Sequence, residues 1–209
     1  MTAVILSISV GIVSAQAGKV EAVGPLNASG ASDGLKQAVA DKGTRLTLDD
    51  GWSADFWFAR SLATSSNHAA GALYPDLSNG EFVGVVTFVK GASDFRGQAI
   101  PAGTYTLRYQ YIPQDANHMG VSPNPDFLLA IPIASDPNPS DNLPLKRLVA
   151  LSSKASGTAH PAVFALAPAG KPGTVTKDDQ GMLIFSGETA TSAGKTEKIG
   201  IVVKGQATQ

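Results

Sequence analysis

Glu81-Phe82-Val83-Gly84-Val85-Val86-Thr87-Phe88-Val89-Lys90 and, shortly after it, Ile100-Pro101-Ala102-Gly103-Thr104-Tyr105-Thr106-Leu107-Arg108-Tyr109-Gln110-Tyr111 decide the fold class. The first run is apolar on both faces, as a strand at the centre of a sheet must be. The second alternates with period two. Tyr105, Leu107, Tyr109 and Tyr111 share one face, and Thr106, Arg108 and Gln110 share the other. Pro101-Ala102-Gly103 supplies the turn into it. If the tyrosine face is core, Thr106, Arg108 and Gln110 are expected to meet solvent.

Working outward, residues 44–48 alternate as a half-buried strand, Asp50-Gly51 is a hairpin signal, and residues 52–60 form the returning strand. There Trp52, Ala54, Phe56 and Phe58 take one face, and Asp55 and Trp57 the other. A short helix precedes this pair: Leu35, Ala38 and Val39 keep i, i+3, i+4 spacing after Ser32, a plausible N-cap, and Gly43 is the stop. Residues 18–31 read as a short strand and then a loop containing Asn27-Ala28-Ser29, a formal glycosylation sequon.

Three long polar stretches, 61–80, 113–126 and 135–142, have loop composition. Strands are expected at 127–133, 162–167, 182–187 and 197–204, with Ala193-Gly194-Lys195 as the last hairpin. A second helix over 143–156 carries Leu145, Leu148 and Val149 on one face, Asp141 or Asn142 as its cap, and Gly157 past its end. The sum is an all-β chain: an antiparallel β-sandwich of eight or nine strands with two short helices. A doubly wound α/β fold would need helices between most strands. The expected core includes Phe56, Phe58, Phe88, Leu107 and Phe127.

The strand, short polar hairpin and Ile100-Pro101-Ala102-Gly103-Thr104-Tyr105-Thr106-Leu107 together resemble the central motif of a family of secreted bacterial β-sandwich domains of unknown function. The resemblance covers about residues 82–111. It implies an exported all-β domain and brings no catalytic residues with it.

An address is written at the other end of the chain. Residues 4–13 are an apolar run that leads into Ala15-Gln16-Ala17, and charge begins only at Lys19. That is the core and cleavage site of a signal peptide over residues 1–17, too short for a bilayer, which takes about 20 apolar residues. Met1-Thr2-Ala3 lacks the usual basic residue. Residues 18–209 are then one exported domain, large enough to bury roughly 70% of its unfolded surface without staples. Cys 0 excludes disulfides, thiolate catalysis, blue copper and covalent haem. A net charge of −1 argues against a nucleic-acid partner, and no second apolar run reaches the length of a membrane span.

Signatures of catalysis are missing from the sequence. There is no Gly-x-Ser-x-Gly, no His-Glu-x-x-His and no phosphate-binding glycine loop. Ser192-Ala193-Gly194-Lys195 matches Ser-x-x-Lys by letter, yet it falls in an expected hairpin rather than at a helix start. Asp49, Asp50, Asp55 and Glu81 occupy ordinary strand and turn positions and form no recognisable acid–base pair. The loop at 136–142 fails as an EF-hand, since Asp141 and Arg147 stand where Gly and Glu belong.

The expectation is therefore an exported, non-catalytic binding or accessory protein, engaging a ligand or envelope protein through loops 61–80, 113–126 and 135–142. Two alternatives stay open. His118 and Met119, with His68 or His160, form a candidate copper or zinc site in loops. Tyr105, Tyr109 and Tyr111, with Trp57, form a candidate stacking face for carbohydrate.

Overall fold

A computed structural model describes residues 17–66, 68–112 and 122–205. The expected leader lies outside these residues apart from Ala17, and so do His118 and Met119. The chain opens with β1 (Gly18–Val23), then α1 (Asp33–Ala38), β2 (Gly43–Leu48), β3 (Ser53–Phe58) and a two-residue β4 (Ser61–Leu62). After the first long loop come β5 (Phe82–Phe88), the small hairpin of β6 (Ala92–Ser93) and β7 (Ala99–Ile100), and β8 (Gly103–Tyr111). Next are β9 (Asp126–Pro132), a 3-10 turn (Ile133–Ser135) and α2 (Leu145–Ser156). β10 (Ala162–Ala167), β11 (Thr174–Lys177), β12 (Leu183–Thr191) and β13 (Thr196–Lys204) complete the order.

The class is mostly β, as expected, but the architecture differs from a two-sheet sandwich of eight or nine antiparallel strands. Eleven strands form one mixed sheet in the order β1-β2-β3-β5-β8-β9-β10-β13-β12-β11, with β4 added in parallel to β12; β6 and β7 stand apart as a pair. Neighbours along that path are antiparallel. The physical reason is connectivity. With the two-residue strands set aside, every step of the path except β10–β13 joins strands consecutive in the chain, and such neighbours extend one sheet rather than found a second. β10 then carries the sheet around a corner, pairing Ala162–Ala165 with β9 and Leu166–Ala167 with β13.

Beyond that corner the sheet curls back onto itself. The Phe56 and Phe185 rings lie 4.8 Å apart across the interior, and the Ala17 N–H donates to the Val175 carbonyl at 3.3 Å, bringing the two ends of the path together. The Thr189 hydroxyl donates to Ala59 O on another flank. The core inside is continuous and includes Phe56, Phe88 and Leu107, with Phe58 packed at its margin.

Outside the curl, α2 lays Leu148 and Leu151 on Phe127, Leu129 and Ile131 of β9 and Val163 of β10. Each fully buried leucine contributes about 1.5–3 kcal/mol. The β6–β7 hairpin adds Phe95 against Ala165, Ile184 and Val202. Strands covered on both faces cannot alternate in polarity, which accounts for the unbroken apolar runs in β9 and β10.

Local chemistry explains where the helices stop and start. The Ser32 hydroxyl accepts the Leu35 N–H at 3.1 Å, the expected cap. α1 ends at Ala38 because Val39 turns extended and bridges Ala59. For α2 the expected cap by Asp141 or Asn142 is corrected: the cap position is Pro144, with no side-chain bond, and Leu145 is exposed. The buried stripe is Leu148, Leu151, Ser152 and Ala155, so Val149 lies at its edge. Gly157, at φ +66°, closes the helix in the left-handed conformation that glycine adopts without strain. Among the described residues no helix is long and apolar enough to cross a membrane.

Candidate functional site

Arg108 is where the sequence reading and the structure part most sharply. Thr106, Arg108 and Gln110 were expected to meet solvent, yet they are 0%, 1% and 0% exposed. The tyrosine face of β8 does enter the main core, at Tyr105 and Tyr109. The opposite face is covered as well, because the segment after β9 folds back across it.

A guanidinium carries five N–H donors and cannot be neutralised at ordinary pH, so its burial demands acceptors on every side. Asp136 supplies two, to Nε at 2.8 Å and Nη2 at 2.7 Å, in a bidentate pair. Backbone carbonyls supply the rest: Asn138 to Nη2 at 2.8 Å, and Gly80, Asp141 and Pro139 to Nη1 at 2.9, 3.1 and 3.2 Å. Asp136 also accepts the Thr106 hydroxyl at 2.6 Å, and the Phe82 ring lies 5.6 Å below the guanidinium carbon. The loop at 136–142 is thus wound around a cation. This is the role of its Asp, Asn and Pro residues, in place of the helix cap expected of them.

The same winding shapes a cleft of about 530 Å³ between this loop and the first long loop. Arg108 is its floor, and Ser61, Ser78, Asn79, Glu81, Ser140 and Asn142 line its walls. Glu81 accepts the Ala63 N–H at 2.7 Å. Burial holds its carboxyl above the ordinary range, against the opposing pull of that N–H and of Arg108. Arg108 itself has no donor left for a ligand.

The strand ends that flank the third stretch, at Tyr111 of β8 and Asp126 of β9, are bonded to the same 70–79 segment. Asn79 Oδ1 accepts the Tyr111 N–H at 2.6 Å, and the Tyr111 hydroxyl donates to Ala70 O at 3.1 Å. On the far side of the loop, Asp126 Oδ2 accepts the Tyr74 N–H at 2.9 Å, while the Tyr109 hydroxyl donates to Tyr74 O at 3.0 Å. Burial of these rings raises both phenols, Tyr74 to about 12. Residues 70–80 are therefore bonded both to the 136–142 segment, through Arg108, and to Tyr111 and Asp126, the strand ends that flank the third stretch.

The histidines are distributed differently. His68 is exposed, with Nδ1 2.6 Å from Asp76 Oδ1, beside a smaller pocket of about 320 Å³ that reaches Asn79 and Tyr111. His160 is exposed just before β10. Tyr111 pairs with Asp126, whereas Ala162 pairs with Ala130. The register thus puts the neighbourhoods of His68 and His160 at opposite ends of β9. Among the described residues no group of three His, Cys, Asp or Glu side chains is disposed to hold a metal ion. The candidate stacking face is largely core: Trp57, Tyr105 and Tyr109 are buried, and the Trp57 indole N–H is bonded to Gly24 O at 2.9 Å. Ser192 and Lys195 lie exposed at the β12–β13 hairpin, with Ser192 Oγ accepting the Thr64 N–H at 3.0 Å.

Sequence reasoning missed Arg108, Asp136 and Glu81. An arginine in a strand ordinarily marks the wet face, and nothing within 20 residues of Arg108 announces its acceptors. Compared with protein-family models, with curated proteins and with solved structures, the chain matches none.

Proposed function

We propose that this protein is an exported, non-catalytic binding or accessory protein that meets its ligand or envelope partner through loops 61–80, 113–126 and 135–142. The observation that carries the reading is that residues 70–80 meet both the 136–142 segment, fixed from below by the Arg108–Asp136 pair, and the strand ends Tyr111 and Asp126. Ordering a loop in advance removes an entropic cost that binding would otherwise meet. The cleft walls are serine hydroxyls, asparagine amides and the Glu81 carboxyl, with no aromatic side chain. Such a lining suits a polar ligand recognised by hydrogen bonds, a peptide main chain or a sugar, rather than an apolar one. A photoreactive side chain at Ser140 tests this in cells that export the protein, with the same side chain at Lys171, outside the cleft, as control. The reading expects a discrete adduct from Ser140 alone. Adducts of equal yield at both positions, or at neither, contradict it.

One observation favours a second reading, a copper or zinc site using His68 with His118 and Met119. A carboxylate on one imidazole nitrogen is the usual support of a metal-ligating histidine, and Asp76 holds His68 in that way. Saturable copper or zinc binding that disappears in both His68→Ala and His118→Ala supports it. Unchanged binding in either variant removes it.

A further inference from the structure

A second cavity, of about 650 Å³, lies at the opposite end of β5 from the loop cleft, where Lys90 and Gly91 lead into the β6–β7 hairpin. Its size is that of a small-molecule site, in the range of roughly 300–1,000 Å³. The lining is mostly apolar: Trp52, Ala92, Ala99 and Val203, with bare glycine backbone between them. Trp52 is half-buried and packed on Phe88, ring centroids 6.2 Å apart. Its indole N–H is already spent on Gly91 O at 2.9 Å. What the ring has left to offer a ligand is therefore carbon surface.

The charges at this site are unbalanced. Lys204 is paired with Asp50, and both line the cavity. Lys90 also lines it and has no hydrogen-bond or ion-pair partner among the described residues. Two lysines against one aspartate leave a single positive charge beside an apolar concavity. Charge sign and lining together select one class of ligand.

We propose that this cavity binds a small carboxylate with an apolar body, the body against Trp52, Ala92, Ala99 and Val203 and the carboxylate on Lys90. The site is separate from the recognition loops and does not depend on their role. An ammonium is a point charge on a flexible stem, suited to a single carboxylate. Lys90 is exposed, so its pair with a carboxylate is worth up to about fivefold in affinity.

The test is a titration of the whole protein with decanoate and with indole-3-acetate, an aliphatic and an aromatic member of the class, followed by calorimetry. For decanoate, which does not absorb where tryptophan emits, Trp52 fluorescence gives a second reading. Trp57, the other tryptophan, is buried away from the cavity and is a silent background. Saturable binding of either probe is expected. For the probe that binds, Lys90→Ala should weaken binding by about two- to fivefold while Lys90→Arg retains it. If that probe is decanoate, 1-decanol should bind about two- to fivefold more weakly, and Trp52→Phe should remove the fluorescence response without removing the calorimetric one. The proposal is overturned if neither probe binds saturably at about 1 mM. It is equally overturned if Lys90→Ala binds as the wild type does, or if 1-decanol matches decanoate.

Discussion

Arg108 decides at the residue scale whether the cleft exists. Its removal leaves Asp136, 2% exposed, as a buried charge without a counter-ion, a situation that costs about 3–5 kcal/mol. Arg108→Ala should lower the urea-unfolding free energy by that order, and Arg108→Lys should recover little, since three donors cannot serve the six contacts of the guanidinium. Losses under about 1 kcal/mol would mean that the pair is a surface ornament. Glu81 gives a prediction with a sign. A carboxyl whose pKa is raised in the folded state holds its proton more tightly there, so its contribution is full in acid. That contribution declines as pH climbs from about 4.3 through the raised folded value. Glu81→Gln keeps an oxygen for the Ala63 N–H but has no proton to lose. Its stability relative to wild type should therefore be flat below about pH 4 and grow above it. A difference that moves the other way, read from chemical unfolding at pH 4 and pH 7, contradicts the assignment. Neither residue was legible in advance. Arg108 obeys the alternation rule, but alternation says which face a side chain takes and nothing of what covers that face.

The legible elements were those long enough to show a period. β2, β3, β5, β8, β9, β10 and β13 all carry six or more residues and were anticipated from alternation or apolar runs. β4, β6 and β7 have two residues each and β11 has four, too few to distinguish a strand from a loop. Their absence from the sequence reading is what made a sandwich seem sufficient. The curl also rests on a close approach that the sequence marks only as a glycine. A Cβ on Gly187 of β12 would fall 2.0 Å from the Phe58 ring of β3, across the interior. Gly187→Ala should therefore destabilise by about 1–3 kcal/mol, and the added substitution Phe58→Leu should return part of the loss. Equal stability of Gly187→Ala and wild type would show that β3 and β12 do not meet as described.

Over the whole molecule, the polar stretches 61–80 and 135–142 were recognisable from composition, and the meeting of residues 78–81 with 136–142 over Arg108 was not. Convergence depends on the register of β8 with β9 and on the fold-back after β9, neither of which leaves a local mark. The proposed export makes its own prediction: the protein recovered outside the cytoplasm should begin at Gly18, the first residue of β1, and Ala15→Leu should block that processing. Recovery of chains beginning at Met1 contradicts it. The central claim is that residues 78–81 and 136–142 form one surface held from beneath by Arg108. Hydrogen exchange measured by mass spectrometry on wild type and Asp136→Asn tests it most directly. The account predicts that residues 78–81 and 136–142 lose protection together while β12 and β13 keep theirs. Unchanged protection at 136–142, or loss confined to that loop with 78–81 unaffected, would contradict it.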